Sequence, residues 1–343
     1  MNTTRWATIK AVRSYLPTKV VTNTDLASEV GWTADEIFAK TGIAERHVAG
    51  PNECVSDMAV LAAEKLFRDC GVDRAEVQFL ILCTQTPDHL LPATACLVHQ
   101  RLGLKNQCAA FDINQGCSGY VYSLGLASAL IRSCMAECGL VITGDNYTKF
   151  INPKDRSVRT LFGDAATATL VRATATPGLD HFVLGTDGTG AKNLIIPAGG
   201  TRLPRGEQTA QLVTDGSGNM RCQNDLFMDG PQIFTFTLKR VPELLSGVLT
   251  QSGLQAGDID WFVLHQANRY MLEHLRQKLR IPPERLVWFL EKTGNTVSST
   301  IPLALEHGAA EGRFLPGQRL FLAGFGVGYS WGAALLRWPE PGN

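Results

Sequence analysis

The 343-residue sequence predicts an α/β fold made of two similar halves, and three observations carry that prediction. Strand-like apolar runs alternate with helical patterns, as they do where α and β layers stack. Residues 71–84 (GVDRAEVQFLILCT) align without gaps on residues 253–266 (GLQAGDIDWFVLHQ), an offset of 182 (253 against 71). In the same order, Ala168-Thr-Leu-Val-Arg172 is echoed by Ala333-Ala-Leu-Leu-Arg337. The chain is longer than one ordinary domain. Duplication therefore predicts halves of 1–175 and 176–343, meeting face to face.

In chain order, Ser56–Cys70 reads as a helix that turns at Gly71 into a strand, Val77–Thr84. Cys108–Ile113 is a second strand and feeds a Gly-flanked turn, Gly116-Cys117-Ser118-Gly119. The small, apolar run Tyr120–Ile131 is helical, and Leu140–Thr143 and Ala165–Arg172 are the remaining strands of this half. In the second half, strands are expected at His181–Gly185, Trp261–Leu264, Leu286–Phe289, Arg319–Ala323 and Trp331–Arg337. Helices are expected at Pro231–Ser252 and Thr300–His307. Several strands are apolar almost throughout, as strands covered on both faces should be. Residues 199–224 are rich in Gly, Thr, Arg and Gln without periodicity, and read as a surface insertion.

Composition narrows the class. Thirty-two basic and 32 acidic residues, with no charge block, argue against a nucleic-acid or anionic-membrane partner. No apolar run approaches the ~18–20 residues of a membrane span. Met1–Trp6 shows no apolar signal segment, so export by that route is not expected, and the cysteine usage below points to a reducing, cytoplasmic setting. The nine cysteines are odd in number, and Cys83, Cys96 and Cys108 lie in apolar runs, where free thiols pack as small hydrophobes. Cys134 and Cys138 have helical spacing but no second Cys or His pair, so no metal site is expected.

Cys117 lies where a strand turns into a helix. Helix-end N–H groups and the macrodipole favour a thiolate there, as a metal-free nucleophile requires. The alternative is a small core residue at a junction. His265 ends an apolar strand, at the edge where α/β ligands bind, and Asn295 sits in a Gly-Asn turn before a helix. Alone, each reads as a structural histidine and an ordinary turn. Together the three supply acyl transfer: a thiolate takes the acyl group, while His and Asn donate to a second thioester carbonyl as it gains enolate charge. The run Gly324-Phe-Gly-Val-Gly-Tyr-Ser-Trp-Gly332 could offer backbone N–H groups to an oxyanion. It lacks the Lys-Ser/Thr of a phosphate loop.

These motifs resemble β-ketoacyl-acyl-carrier-protein synthase III (KAS III), a family of thiolase-fold condensing enzymes with a layered α-β-α-β-α architecture. The matching segments are Thr41-Gly-Ile-Ala-Glu-Arg-His47, Gly116-Cys-Ser-Gly119, Asp155-Arg156 with Phe162-Gly-Asp164, His265-Gln-Ala-Asn268, Gly294-Asn-Thr296 and the final Gly-Phe-Gly run. The resemblance implies that Cys117 is acylated and that His265 and Asn295 assist decarboxylation of a malonyl thioester. The Cys117 and Val327 amides would form the oxyanion hole. Lys40, Arg156, Phe234, Asn268 and Phe325 would contact substrate. Leu91 would reach into a partner subunit's acyl pocket, implying a homodimer. Acyl-CoA and acyl-carrier protein would be substrates, with no cofactor.

Arg269, Arg276, Lys278 and Arg280, on or after one helix, and Lys239 with Arg240 on another, are candidates for docking an acidic carrier protein. Surface arginine is the plainer reading of Arg13, Arg202 and Arg205.

The chain also departs from its relatives. Where family members primed by acetyl-CoA carry an adenine-stacking Trp, it has Glu36, and Trp32 is out of register. Lys40 replaces Arg, Arg269-Tyr270 stands where a hydrophobic residue and Arg are usual, and Val327 replaces Gly. A specialised condensation is therefore expected. The alternatives are a Cys-dependent acyltransferase with a non-malonyl acceptor, a type III polyketide synthase, or a catalytically silent partner subunit.

Overall fold

The computed structural model describes residues 5–340. Nine strands run side by side: Trp261–Leu264, Arg319–Gly326, Ser330–Arg337, Leu179–Thr186, Trp6–Tyr15, Ala165–Thr174, Cys138–Asp145, Phe79–Cys83 and Ala109–Ile113. One pattern occurs twice in this row. Trp6–Tyr15 pairs antiparallel with Ala165–Thr174, which pairs antiparallel with Cys138–Asp145; Phe79–Cys83 and Ala109–Ile113 follow in parallel. Leu179–Thr186, Ser330–Arg337, Arg319–Gly326 and Trp261–Leu264 repeat those senses in order. The two sets join through a single pairing, Ala7 with Leu179.

Helices separate the sets. Gly119–Arg132 and Thr300–Ala310 lie between them and touch strands of both, while Val55–Cys70 and Gly230–Ser252 cover the outer faces. The central layer is closed by Tyr120, Leu124, Ile301 and Leu305, all fully buried, against Ile9, Ile81 and Leu322 of the strands. This is the α-β-α-β-α stacking expected of the sequence. Among the described residues, no helix is long and apolar enough to cross a membrane. All nine cysteines are free.

Two strand expectations need correction. Leu286–Phe289 makes only a parallel bridge between Leu286 and Phe262. The neighbouring strand has already ended at Leu264, and the side chain of Gln266 accepts the Phe289 N–H at 2.8 Å where a strand would have supplied a carbonyl. Conversely, Trp6–Tyr15 is a ten-residue strand at the centre of the row that the sequence reading missed. A register shift between Ile9 and Ala11 interrupts its alternation of buried and exposed residues.

The Gly324–Gly332 run holds the end of one strand, the turn at residues 327–329 and the start of the next strand. Arg319–Gly326 ends there and Ser330–Arg337 begins, antiparallel to it.

Two short helices complete the fold near its N-terminus, Asn23–Val30 and Ala34–Thr41. Each opens with a reciprocal cap, Thr22 with Asp25 and Thr33 with Glu36, and closes at a left-handed glycine, Gly31 or Gly42. The buried Arg46 fastens this unit to the first half, donating to Val21 O, Asn23 Oδ1 and Thr160 O.

Candidate active site

Cys117 stands just before the Gly119–Arg132 helix, and the Arg319–Gly326 strand passes directly over it. A Cβ on Gly326 would come within 2.9 Å of the Cys117 sulfur, and one on Gly324 within 2.5 Å of its carbonyl oxygen. Glycine at both positions is what lets backbone N–H groups approach the thiol. The adjoining hydroxyls of Ser118 and Ser330 meet at 2.6 Å and tie the helix to the hairpin.

Cys117, His265 and Asn295 all line one cavity of about 400 Å³. They are 5 %, 2 % and 6 % exposed, so the cavity walls shield them from bulk water. Phe325 packs edge-on against the His265 ring at 5.5 Å. Leu161, Phe162, Met228, Ile233 and Phe234 make most of the remaining wall apolar. Asn268 also lines it: its Oδ1 accepts the Met271 N–H at 2.8 Å and caps the Arg269–Lys278 helix, so its Nδ2 is the group left to donate.

The polar groups are oriented by their neighbours. Asn295 Oδ1 accepts the Val297 N–H at 3.0 Å, so the group it can offer the cavity is its NH2 donor. His265 Nδ1 and Thr300 Oγ1 are 2.7 Å apart, leaving Nε2 without a protein partner among the described residues. Burial holds the His265 pKa down to about 3, so the ring is neutral at physiological pH.

The thiol departs from expectation. Burial pushes Cys117 up to about 12, the charge of Asp145 adds to the rise, and the N–H groups of Cys117 and Val327 oppose it. At this depth of burial desolvation outweighs the helix end, so the resting group is a thiol. Asp145 is itself pushed up to about 7 by burial, although the Gln85 N–H and Ser298 hydroxyl both donate to it at 2.8 Å.

The other candidate residues divide by depth. Phe234 and Phe325 line the cavity with the three polar groups, whereas Lys40, Arg156 and Leu91 do not. The Lys40 ammonium and the Arg156 guanidinium each lie 5.1 Å from the centre of one ring, that of Trp32. Trp32, which sequence register had set aside, is thus joined to both cations. Glu36 has a different task, accepting from the backbone N–H and hydroxyl of Thr33. The paired signals Thr22-x-x-Asp25 and Thr33-x-x-Glu36 would have located these helices and the Trp32 loop between them.

Arg156 also donates to Ser217 O, and Arg221 pairs with Asp215 and with the buried Asp155. The 199–224 segment is thus an exposed surface excursion, as expected, tied down through residues 215–221.

Leu91 is 81 % exposed, beside Leu90 at 88 %. At the mouth, Tyr270 is also exposed and packs on Phe234 and His274. Of the docking candidates, Arg276 is held by Glu273 and the Ile281 carbonyl, and Arg240 by Glu243. Arg269, Lys278 and Arg280 form no ion pair among the described residues, and the Arg269 stem packs over Gly42.

A buried thiol, a neutral imidazole and a carboxamide donor lining one cavity of a thiolase fold define a condensing enzyme of the acyltransferase class. Residues 111–188 match the family model for 3-oxoacyl-[acyl-carrier-protein] synthase III, and residues 249–338 match the model for its C-terminal part. The chain is 38% identical to the β-ketoacyl-[acyl-carrier-protein] synthase III of Neisseria meningitidis serogroup B, over 97% of this chain and 100% of that protein. A crystal structure of a 3-oxoacyl-(acyl-carrier-protein) synthase III superposes with a TM-score of 0.96 at 47% identity, covering 97% of this chain and 100% of the other. The priming β-ketosynthase of the R1128 polyketide pathway superposes with a TM-score of 0.85 at 30% identity, covering 98% of this chain and 97% of the other. The chain belongs to the β-ketoacyl-acyl-carrier-protein synthase III family.

Proposed function

We propose that this enzyme condenses an acyl thioester, held on Cys117, with a malonyl group on acyl-carrier protein, and that its acyl donor is specialised. The observation that carries this reading is the meeting of Cys117, His265 and Asn295 in one shielded cavity. In the first step the Cys117 sulfur attacks the donor's thioester carbon. A new C–S bond forms, the old one breaks, and the donor thiol leaves with the proton that Cys117 gives up. The N–H groups of Cys117 and Val327 receive the charge on the carbonyl oxygen. In the second step the malonyl C–C bond breaks, CO2 leaves, and the electron pair becomes an enolate. His265 and Asn295 hydrogen-bond its oxygen. The enolate carbon attacks the acyl carbonyl, the S–C bond breaks with its electron pair on sulfur, and Cys117 takes up a proton from solvent to return to the thiol.

The apolar wall around Phe234 and Phe325 suits an acyl or pantetheine arm, and Asn268 offers it a donor. Lys40, Trp32 and Arg156 together suit a base and phosphates of a CoA-borne donor. Arg269, Lys278 and Arg280 suit an acidic carrier, with Arg276 supporting the helix. Specialisation is supported by Glu36, Lys40 and Arg269-Tyr270, which change the rim and leave the interior groups in place. Two halves, 1–175 and 176–343, are supported by the repeated strand order. A homodimer is supported by Leu90 and Leu91, which one chain leaves uncovered, and a reducing cytoplasm by nine free thiols.

The test is intact-mass analysis after incubation with a panel of acyl-CoA and acyl-carrier thioesters. A donor-dependent gain that maps to Cys117 and vanishes in Cys117→Ala is expected. CO2 release from malonyl-carrier without any acyl-Cys117 from the panel would overturn the acyl-enzyme reading.

A further inference from the structure

The turn that follows Asn295 has an unusual backbone. Val297 is a buried, β-branched residue with φ of +54°, a left-handed conformation that such side chains rarely adopt. Strain of this kind costs about 1–3 kcal/mol and persists only where the surroundings enforce it. Here the conformation lets the backbone of one residue serve two functional side chains. The Val297 N–H donates to Asn295 Oδ1 at 3.0 Å, and the Val297 carbonyl lies 3.2 Å from Thr300 Oγ1. Thr300 Oγ1 is in turn 2.7 Å from His265 Nδ1.

Thr300 is 1 % exposed and carries one hydroxyl proton, with two acceptors in reach. Given to the Val297 carbonyl, it leaves Nδ1 to carry hydrogen, and Nε2 meets the cavity as a bare acceptor. Given to Nδ1, it leaves Nε2 to carry hydrogen, and the cavity meets a donor. The Nδ1 contact is the shorter by half an ångström (2.7 against 3.2 Å). An acceptor at Nε2 would repel an enolate oxygen, and Asn295 already presents a donor beside it.

We propose that Thr300 is a positioning residue that donates to His265 Nδ1 and fixes the imidazole as its Nε2–H tautomer. The strained Val297 backbone sets Asn295 to the same polarity, so that the cavity offers two donors to one oxygen. This deepens the condensation reading and rests on it. Thr300 touches no substrate; it acts through His265.

The test compares Thr300→Val, which keeps the shape and loses the hydroxyl, with Thr300→Ser, which keeps the hydroxyl. In ¹⁵N-labelled protein, the histidine ring shifts report which nitrogen of His265 bears hydrogen. The wild type and Thr300→Ser are expected to show Nε2–H, and Thr300→Val a mixture or Nδ1–H. Loss of one oxyanion donor costs roughly 10²–10³-fold in rate. Malonyl decarboxylation by Thr300→Val should fall by about 10²-fold, while acylation of Cys117 keeps its wild-type rate. Thr300→Ser should recover most of the decarboxylation. Nδ1–H in the wild type, or wild-type tautomer and decarboxylation in Thr300→Val, would overturn the proposal. Failure of the wild type itself to decarboxylate malonyl thioesters, with Nε2–H observed, would instead overturn the condensation reading.

Discussion

The cavity interior and its rim are built on different principles. Inside, Cys117, His265 and Asn295 are each held by a short-range contact that leaves one chemical role available. At the rim, cations are shared with neighbours: Arg156 between Trp32 and Ser217, Arg276 between Glu273 and Ile281. A buried polar group without a partner costs about 1–3 kcal/mol, so interior positions tolerate few arrangements. Exposed ion pairs contribute only about 0–1 kcal/mol, so rim residues can be exchanged. Of the departures from the family motifs, Glu36, Lys40 and Arg269-Tyr270 fall at or near the rim, while Val327, in the interior, still supplies a backbone N–H to Cys117. Reaction type is thus a property of the interior, and partner choice one of the rim.

The strongest way to break this comparison is Asn295→Ala. Removal of one donor from the enolate site is expected to lower decarboxylation by roughly 10²–10³-fold, with acylation of Cys117 retained. An equal loss in both steps, followed by separate assays of each, would mean that Asn295 supports the thiol as well.

Rim substitutions should produce smaller and differently shaped effects. A cation–π contact is worth about 0.5–2 kcal/mol, so Trp32→Ala should raise KM for a CoA-borne donor by about 3–30-fold and leave kcat alone. A pantetheine-length donor should not sense the change. Arg269→Glu should raise KM only for a carrier-bound extender, and the effect should shrink with added salt. A change in kcat for either variant would blur the division between rim and interior.

The smallest effect sharpens the electrostatics of the interior. Because its negative charge pushes the Cys117 thiol up, Asp145→Asn should speed alkylation of Cys117 a few-fold at pH 8. The same carboxyl is raised from 3.8 to about 7 in the fold, so the folded state keeps a proton that the unfolded state has released. Its contribution to stability is fully present below 3.8 and is lost as the pH rises to about 7. Denaturant titrations across that range should show a shallower loss in the Asn variant.

Much of the interior was legible in the sequence because it lies at ends of apolar strands and at glycine turns. The Gly116-Cys117-Ser118-Gly119 turn, the Leu264–His265 strand end and the Gly294–Asn295 turn are local signals. So was the duplication, since residues 71–84 and 253–266 enter matching strands. Trp6–Tyr15 was not legible, because a bulge breaks its alternation, and Leu286–Phe289 was misread because apolar runs do not reveal which hydrogen-bond partners exist. Trp32 was passed over because register in sequence says nothing of how two capped helices fold back across Lys40 and Arg156.

By itself the sequence determined the α/β class, the repeated half, the three polar groups and their chemical types, because periodicity, glycine placement and residue chemistry are local properties. Only the tertiary structure decided that Cys117 rests as a thiol, that His265 stays neutral and that Thr300 and Val297 orient the donors. Those outcomes depend on burial, on backbone conformation and on tertiary packing such as that of Ser118 with Ser330, 212 positions apart in the chain, none of which periodicity encodes.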